Sequence, residues 1–408
     1  MSDKTNRPAR VRDALAVGEF RAIWLAELQS VLGDQIARLA LSVLVFQRTN
    51  SAAWSTLTYA LTYLPDLVGG PLLGGLADRY PRRTVMVTCD VVRATLVATM
   101  AIPGFPLPLL AVVLVVVQLA NAPFNSAQAS VMPTVLVGDD YVVGQSLLKV
   151  TNQIGQLAGF AAGGAVIAAL GADGGLAIDA TTFVVSAAVI RWGVHSRPAS
   201  GATGDEPIST LRRLVAGVST IRKDPRLRTL VAAAWLAGFV IVPEGLAVPF
   251  AAEIGGGSTA AGFLLAAHPA GIALGASLLG KFVPPAVRLR IVGPLAIGAI
   301  VPLLGFAFRP PIAVAIVLLV LSGSCAAYQV IASTTFMRLV PDAERGQAFG
   351  LAGSGLIAVQ GIGLLVAGIL VSVLHSPART VAVIAAAGVL FAVPIATTWR
   401  RARLTNPL

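Results

Sequence analysis

Long apolar stretches follow one another along almost the whole chain, and they constrain its fold more than any other feature. The hydrocarbon core of a bilayer is about 30 Å thick, and a helix of roughly 20 apolar residues crosses it. Short basic or Pro/Gly-containing breaks separate stretches of this length. We therefore predict an all-α membrane protein with twelve transmembrane helices, at 21–47, 54–77, 84–102, 108–136, 142–170, 174–192, 229–252, 259–281, 289–308, 311–338, 346–374 and 378–399.

The composition argues against a water-soluble fold. Hydrophobic residues make up 56% of the chain and charged residues 12%, whereas soluble domains carry about 25% charged residues. The net charge is +11, but the basic residues form short clusters between apolar stretches, so we predict no nucleic acid partner. The two cysteines lie in apolar stretches and the three histidines are far apart, so we expect no disulfide, metal site or bound cofactor.

The distribution of lysine and arginine predicts the orientation. Of the 30 such residues, 24 fall on one side of the predicted spans, and only Arg48, Arg309 and Arg379 fall on the other. The positive-inside rule then places both termini on the cytoplasmic side of a cell membrane. The largest break predicts an N-terminal six-helix bundle at 1–192, a cytoplasmic linker loop at 193–228 and a C-terminal six-helix bundle at 229–408.

The two predicted bundles resemble each other in sequence. Leu-Val-Gly-Asp at 136–139 is followed by Gly-Gln, and Leu-Val-Pro-Asp at 339–342 is also followed by Gly-Gln, 203 residues later. Both strings occupy the same predicted loop position, so we favour duplication over chance similarity. Duplicated helical bundles are typical of secondary transporters, whose substrate site lies at the interface of the repeats.

One loop carries a family motif. The sequence Gly-Gly-Leu-Ala-Asp-Arg-Tyr-Pro-Arg-Arg at 74–83 resembles the G-x-L-A-D-R-x-G-R-R motif of the major facilitator superfamily, with proline at 81 in place of the family glycine. This resemblance implies alternating access by a rocker switch. It also implies that the loop latches the cytoplasmic side in the outward-open state, through Gly74, Asp78, Arg79, Arg82 and Arg83.

Other strings resemble the bacterial drug and siderophore exporter branch, which exchanges drug for protons. They are Leu-Gly-Asp at 32–34, Val-Pro-Asp at 340–342 and Arg-Gly at 345–346. The fourfold glycine spacing of Gly155, Gly159, Gly163 and Gly164 resembles the glycine-rich motif of such antiporters. The same spacing is equally typical of an ordinary helix-packing face.

Ionisable residues inside the first predicted helix are candidates for proton or substrate binding. Glu27, Asp34 and Arg38 lie on one helical face, and a charge in the hydrocarbon costs at least about 2.5–3.5 kcal/mol. An alternative interpretation of Asp34 and Arg38 is a structural ion pair at i, i+4. Both interpretations stay open on the sequence alone.

Polar residues on other predicted helices extend the candidate site. The amides on the fourth helix share one face, which we interpret as a cavity lining, with interhelical hydrogen bonding as the alternative. The candidates are Gln118, Asn121, Asn125, Gln128, Asp66 and Glu244, with Tyr328 as an aromatic contact.

The sequence therefore predicts a proton-coupled exporter of an amphipathic drug or secondary metabolite, powered by the proton gradient and acting as a monomer. The nearest alternative is an importer or facilitator of a small metabolite with the same fold. A membrane-embedded enzyme would need a nucleophile with its base or a metal cluster, and neither is readable. A scaffold without transport activity would not need buried acids.

Overall fold

The computed structural model describes residues 10–198 and 218–405, and every regular element among them is helical. The residues 199–217 of the predicted linker loop lie outside this part. The helices are Val11–Ala16, Gly18–Thr49, Ala52–Ala60, Leu64–Leu73, Leu76–Arg79, Arg82–Met100, Leu107–Leu119, Asn121–Val135, Asp139–Gly193, Pro225–Trp235, Ala237–Val240, Val242–Gly245, Ala247–Glu253, Ser258–Phe282, Pro285–Gly298, Ile312–Ala326, Tyr328–Leu339, Arg345–Leu374 and Pro377–Thr405, with 3-10 turns at Val301–Phe308 and Asp342–Glu344.

Nine helical segments in the described part are long and apolar enough to cross a membrane. One of them, Asp139–Gly193, has 55 residues, and Gly171 within it has φ 75° and ψ 175°, which is not helical. At 1.5 Å per residue its length is about 80 Å, far more than one bilayer core. The break separates the predicted spans 142–170 and 174–192, and the count of twelve spans stays a prediction.

Several predicted spans consist of more than one helical segment. The span 229–252 consists of four helical pieces, and the span 54–77 of three. Within 229–252, Pro243 and Pro249 lack the backbone N–H that a continuous helix requires. The span 289–308 changes from α-helix to a 3-10 turn after Gly298.

The described chain divides into two compact units, each containing residues from non-contiguous segments. The first unit contains residues 10–40 and 68–198, and the second contains residues 41–67 and 218–405. The predicted division at 1–192, 193–228 and 229–408 stays a prediction.

In the first unit, helix Gly18–Thr49 packs closely on the glycine face of helix Asp139–Gly193. A Cβ added at Gly159 would lie 2.8 Å from the Cβ of Gln35 and 2.9 Å from the carbonyl oxygen of Leu32. At Gly155 and Gly163 the nearest atoms would be 2.8 and 3.3 Å away. Because contacts under 3.0 Å require a shift, the glycines let the two backbones approach.

Candidate functional site

A cluster of charged residues lies inside the first unit. Asp34 of helix Gly18–Thr49 interacts electrostatically with Arg93, Arg38, Glu27 and Asp90. Asp179, on helix Asp139–Gly193, interacts in the same way with Asp34, Arg93 and Arg38. Three predicted spans thus bring together four carboxyl groups, Glu27, Asp34, Asp90 and Asp179, and two guanidinium groups.

Arg93 is the centre of this cluster's hydrogen bonding. It is 4% exposed and forms an ion pair with Asp90, which is fully buried. Its Nη1 donates to Oδ1 of Asn121 at 2.7 Å. Its guanidinium carbon lies 4.6 Å from the ring centroid of Phe124 and 4.5 Å from that of Phe183. These contacts neutralise and enclose a charge that would otherwise be costly in an apolar interior.

Glu27 has a different environment in the same unit. Its Oε2 accepts a hydrogen bond from Nε2 of Gln128 at 3.2 Å, and its Oε1 accepts one from Nδ2 of Asn152 at 3.5 Å. Gln156 donates in turn to Asn152 at 2.7 Å. Asn152 and Gln156 were not predicted as site residues. Their spacing of four residues, which places both on one face of their helix, was the available signal. Amide donors of this kind stabilise a carboxylate without adding charge.

The four amides of the predicted fourth span do not share one environment. Gln118 is buried and accepts from Nδ2 of Asn121 at 3.4 Å, beside Arg93. Gln128 reaches Glu27, whereas Asn125 is exposed. The structure thus brings three of the four together with the charged cluster. Asn121 and Gln128 do so through interhelical hydrogen bonds of the kind considered as the alternative interpretation, and Gln118 through Asn121 of its own span.

The motif loop begins and ends with backbone contacts. A Cβ added at Gly74 would lie 2.6 Å from the carbonyl oxygen of Gly70. Arg82 donates to the carbonyl of Ser130 at 2.9 Å, and Arg83 donates to that of Val194 at 3.3 Å. These bonds fix the start of helix Arg82–Met100.

The acid of the motif loop lies on the surface. Asp78 and Arg79 are both exposed, on the short helix Leu76–Arg79. In residues 10–198 and 218–405 the Asp78 carboxylate has no hydrogen bond or ion pair.

A second polar cluster lies in the second unit, around Glu244. Tyr59 donates from its hydroxyl to Oε2 of Glu244 at 3.0 Å, and Nδ1 of His268 lies 3.5 Å from Oε1. Tyr59 and His268 were not predicted as site residues. No sequence signal joins them to Glu244, because 185 and 24 residues separate them along the chain.

The other two predicted candidates occupy separate places in the second unit. Tyr328 is 1% exposed, and its hydroxyl donates to the carbonyl of Ala233 at 2.6 Å. It is a packing residue in this arrangement, because both its ring and its hydroxyl are already engaged. Asp66 is partly buried near the start of helix Leu64–Leu73.

In the part of the chain described by the structure, no three His, Cys, Asp or Glu residues could hold a metal ion.

Comparison with known proteins gives consistent matches. A model of the Major Facilitator Superfamily matches residues 23–323. The uncharacterized MFS-type transporter YkuC of Bacillus subtilis is 24% identical over 230 residues, which are 54% of this chain and 54% of that protein. Macrolide efflux protein A of Streptococcus pyogenes is 27% identical over 119 residues, 28% of this chain and 29% of that protein. The chain thus spans about half the length of one relative and under a third of the other.

The fold has counterparts among solved structures. A bacterial homologue of the human lysosomal transporter Spinster, in an inward-facing and unoccupied conformation, aligns with a TM-score of 0.70. The alignment covers 95% of this chain and 97% of that one at 16% identity. At this identity the likeness concerns the fold alone.

Proposed function

Since the chain belongs to the Major Facilitator Superfamily, we propose that it is a proton-coupled secondary transporter that exports an amphipathic drug or secondary metabolite by alternating access. The proposal includes twelve spans in two six-helix bundles, with both termini and the linker loop in the cytoplasm. The transporter requires a small-molecule substrate and a lipid bilayer. The proton gradient is its energy source, and it needs no cofactor.

The excess of acids over bases inside the first unit carries the proposal of proton coupling. Four carboxyl groups share two guanidinium groups there. If all were ionised, the cluster would have two uncompensated negative charges within apolar helices. Charges of this kind are costly in a bilayer and mark ion and proton pathways. Protons are the simplest compensation, because a carboxyl group that binds one becomes neutral.

We assign the coupling role to Asp34. Asp90 is already engaged by Arg93 and by Ser186, which donates to it at 2.6 Å. Glu27 is engaged by amides. Asp34 interacts with both arginines and with all three other acids, so its protonation changes the charge balance of the whole cluster. A proton on Asp34 would then compete with substrate or favour one conformation.

The proton gradient provides sufficient energy. Moving one elementary charge through 100 mV yields about 2.3 kcal/mol. At about 1.4 kcal/mol per tenfold concentration ratio, one proton sustains roughly a 45-fold gradient of a neutral substrate.

Export of an amphipathic compound is the direction and substrate class that the relatives support. The short match to a macrolide efflux protein and the exporter-like strings of the sequence support both. A macrolide is thus the first compound to test.

Accumulation in inverted membrane vesicles tests the proposal. Respiring inverted vesicles have an acidic interior, so an exporter should fill them with labelled erythromycin or with a lipophilic dye from a panel. We expect accumulation that an uncoupler abolishes and that vesicles without the protein lack. Accumulation that ignores the uncoupler would refute proton coupling, and uptake by right-side-out vesicles alone would refute export.

A further inference from the structure

Two segments far apart in the sequence meet in a close seam within the second unit. We define the seam as the contact of helix Ala52–Ala60 and residues 61–64 with helices Val242–Gly245 and Arg345–Leu374. Thr56 donates from its hydroxyl to the carbonyl of Gly245 at 3.1 Å. Tyr59, 1% exposed, donates to Glu244. Two side-chain hydrogen bonds thus join the two sides over successive residues.

Glycines on one side make the seam close-fitting. A Cβ at Gly361 would collide with the side chain of Leu64, and a Cβ at Gly245 would lie 3.1 Å from Cγ2 of Thr56. At Gly368 a Cβ would lie 3.5 Å from the carbonyl oxygen of Ala53, an ordinary van der Waals distance. A seam with so little free space excludes bulk water from Glu244, which is only 11% exposed.

His268 is the basic group that faces Glu244. Its side chain is 13% exposed, and its Nε2 is buried without a hydrogen-bond partner among the described residues. The ring centroid of Tyr63 lies 6.0 Å from that of Tyr59. The other charged or titratable side chains on the elements packed around the pair are Asp66, Glu253, Lys281, Arg345, Arg379, Arg400 and Arg401. No arginine or lysine forms an ion pair with Glu244 in the described part of the chain, in contrast to Asp90, which pairs with Arg93.

We propose that Glu244 and His268 form a second proton-binding site, which must hold one proton for the seam to close. This inference rests on the proposed function, since it adds a second proton site to that transporter. With one extra proton the pair is neutral overall, whichever of the two groups carries it, and the proton belongs to the pair. Without it, closure buries an uncompensated carboxylate.

The chemistry of the pair suits this role. Burying an unpaired charge is unfavourable, whereas a neutral or ion-paired couple with hydrogen bonds is tolerated. A carboxylate and a neutral imidazole each have an acceptor atom for a proton, so the two side chains can bind one proton between them. The open seam takes the proton from solvent, the closed seam retains it, and reopening to water releases it.

Thiol labelling at Gly368→Cys tests this site without substrate or gradient. The variant is made with Cys89 and Cys325 replaced by alanine, and the purified protein is labelled in detergent as a function of pH. Labelling at Phe308→Cys, where the native side chain is 88% exposed, corrects for the reactivity of the thiol itself. We expect the ratio of the two rates to rise about tenfold per pH unit, because opening releases one proton.

Variants of the three side chains separate their roles. Glu244→Gln should make the ratio independent of pH. His268→Asn should shift the rise along the pH axis, because the carboxyl group of Glu244 then binds the proton without its partner. Tyr59→Phe should raise the ratio at every pH and leave its slope unchanged. His375→Asn is the matched control, because His375 is exposed and its φ of 52° suits asparagine, and it should behave as the parent.

The inference would be overturned if the ratio of labelling rates in the parent did not change with pH. It would also be overturned if the ratio rose with pH in Glu244→Gln as steeply as in the parent. If that variant does not fold, the shift in His268→Asn decides, and its absence would be equally contradictory. Flat labelling together with proton-driven accumulation would reject this second site alone. The expected labelling without proton-driven accumulation would reject the proposed function and retain the pair as a proton-binding site.

Discussion

Replacing Arg93 with methionine removes the cation at the centre of the charged cluster while keeping most of the apolar length of the side chain. Arg93 is 4% exposed, lies between the rings of Phe124 and Phe183, and pairs with the fully buried Asp90. In the variant, Asp90 keeps the hydrogen bond from Ser186 but loses its counter-charge. The carboxyl group is then buried without compensation.

The expected loss follows from this geometry. Removing one partner of a buried ion pair costs about 3–5 kcal/mol, whereas replacing both partners with neutral groups is often close to neutral. We therefore expect Arg93→Met to lower the free energy of unfolding by about 3–5 kcal/mol. The double variant Asp90→Asn/Arg93→Met should regain at least half of that loss, because it no longer buries a carboxylate.

The assay is reversible unfolding of the protein in mixed micelles, driven by titration with a denaturing detergent. Arg222→Met is the control, since Arg222 is exposed and surface substitutions change stability by about 0.5 kcal/mol at most. The reasoning would be refuted if the single and double variants lost the same stability. A single variant as stable as the parent would refute it as well.

Three further predictions concern packing, pH and the motif loop. Gly159→Ala should destabilise the protein by about 1–3 kcal/mol through overpacking, whereas Gly350→Ala, which meets nothing within 4 Å, should match or exceed the parent in the same unfolding assay. Hydrogen bonding to Arg226 lowers the pKa of Asp224, so the stability from this pair should be present above about pH 4 and disappear as the pH falls through the lowered pKa. The free energies of thermal unfolding of Asp224→Asn and the parent should therefore differ, by less than about 1 kcal/mol, only above about pH 4. Asp78→Asn should leave expression unchanged but slow vesicle transport, and an unchanged rate would reduce the motif to a signal for topology.

The sequence predicted the helical membrane class because hydropathy is additive along the chain. Each apolar stretch predicts one span independently of the others. The break between the predicted spans 142–170 and 174–192 lies at Gly171. The interruptions within 54–77 and 229–252 were missed, because their apolar composition continues across them. Pro243 and Pro249 were local signals for one of these interruptions.

The candidate site was predicted where its residues share one helix. Glu27, Asp34 and Arg38 follow helical spacing, and the amide row of the fourth span does too. The contacts between helices were not predictable, because they depend on how the helices pack. From the sequence, His268 was only one of three histidines that lie far apart, and Tyr59 was not considered; the fold places both beside Glu244.

Proton-driven transport by Asp34→Asn in reconstituted vesicles tests the central claim most directly. The variant carries the uncharged form of the side chain permanently. We predict that accumulation driven by a proton gradient disappears while downhill exchange of labelled substrate persists. The double variant Asp34→Asn/Arg38→Gln distinguishes coupling from structure, because it removes one negative and one positive charge together, and it should also lack coupled transport. Proton-driven accumulation in either variant would contradict the account and remove Asp34 as the coupling acid.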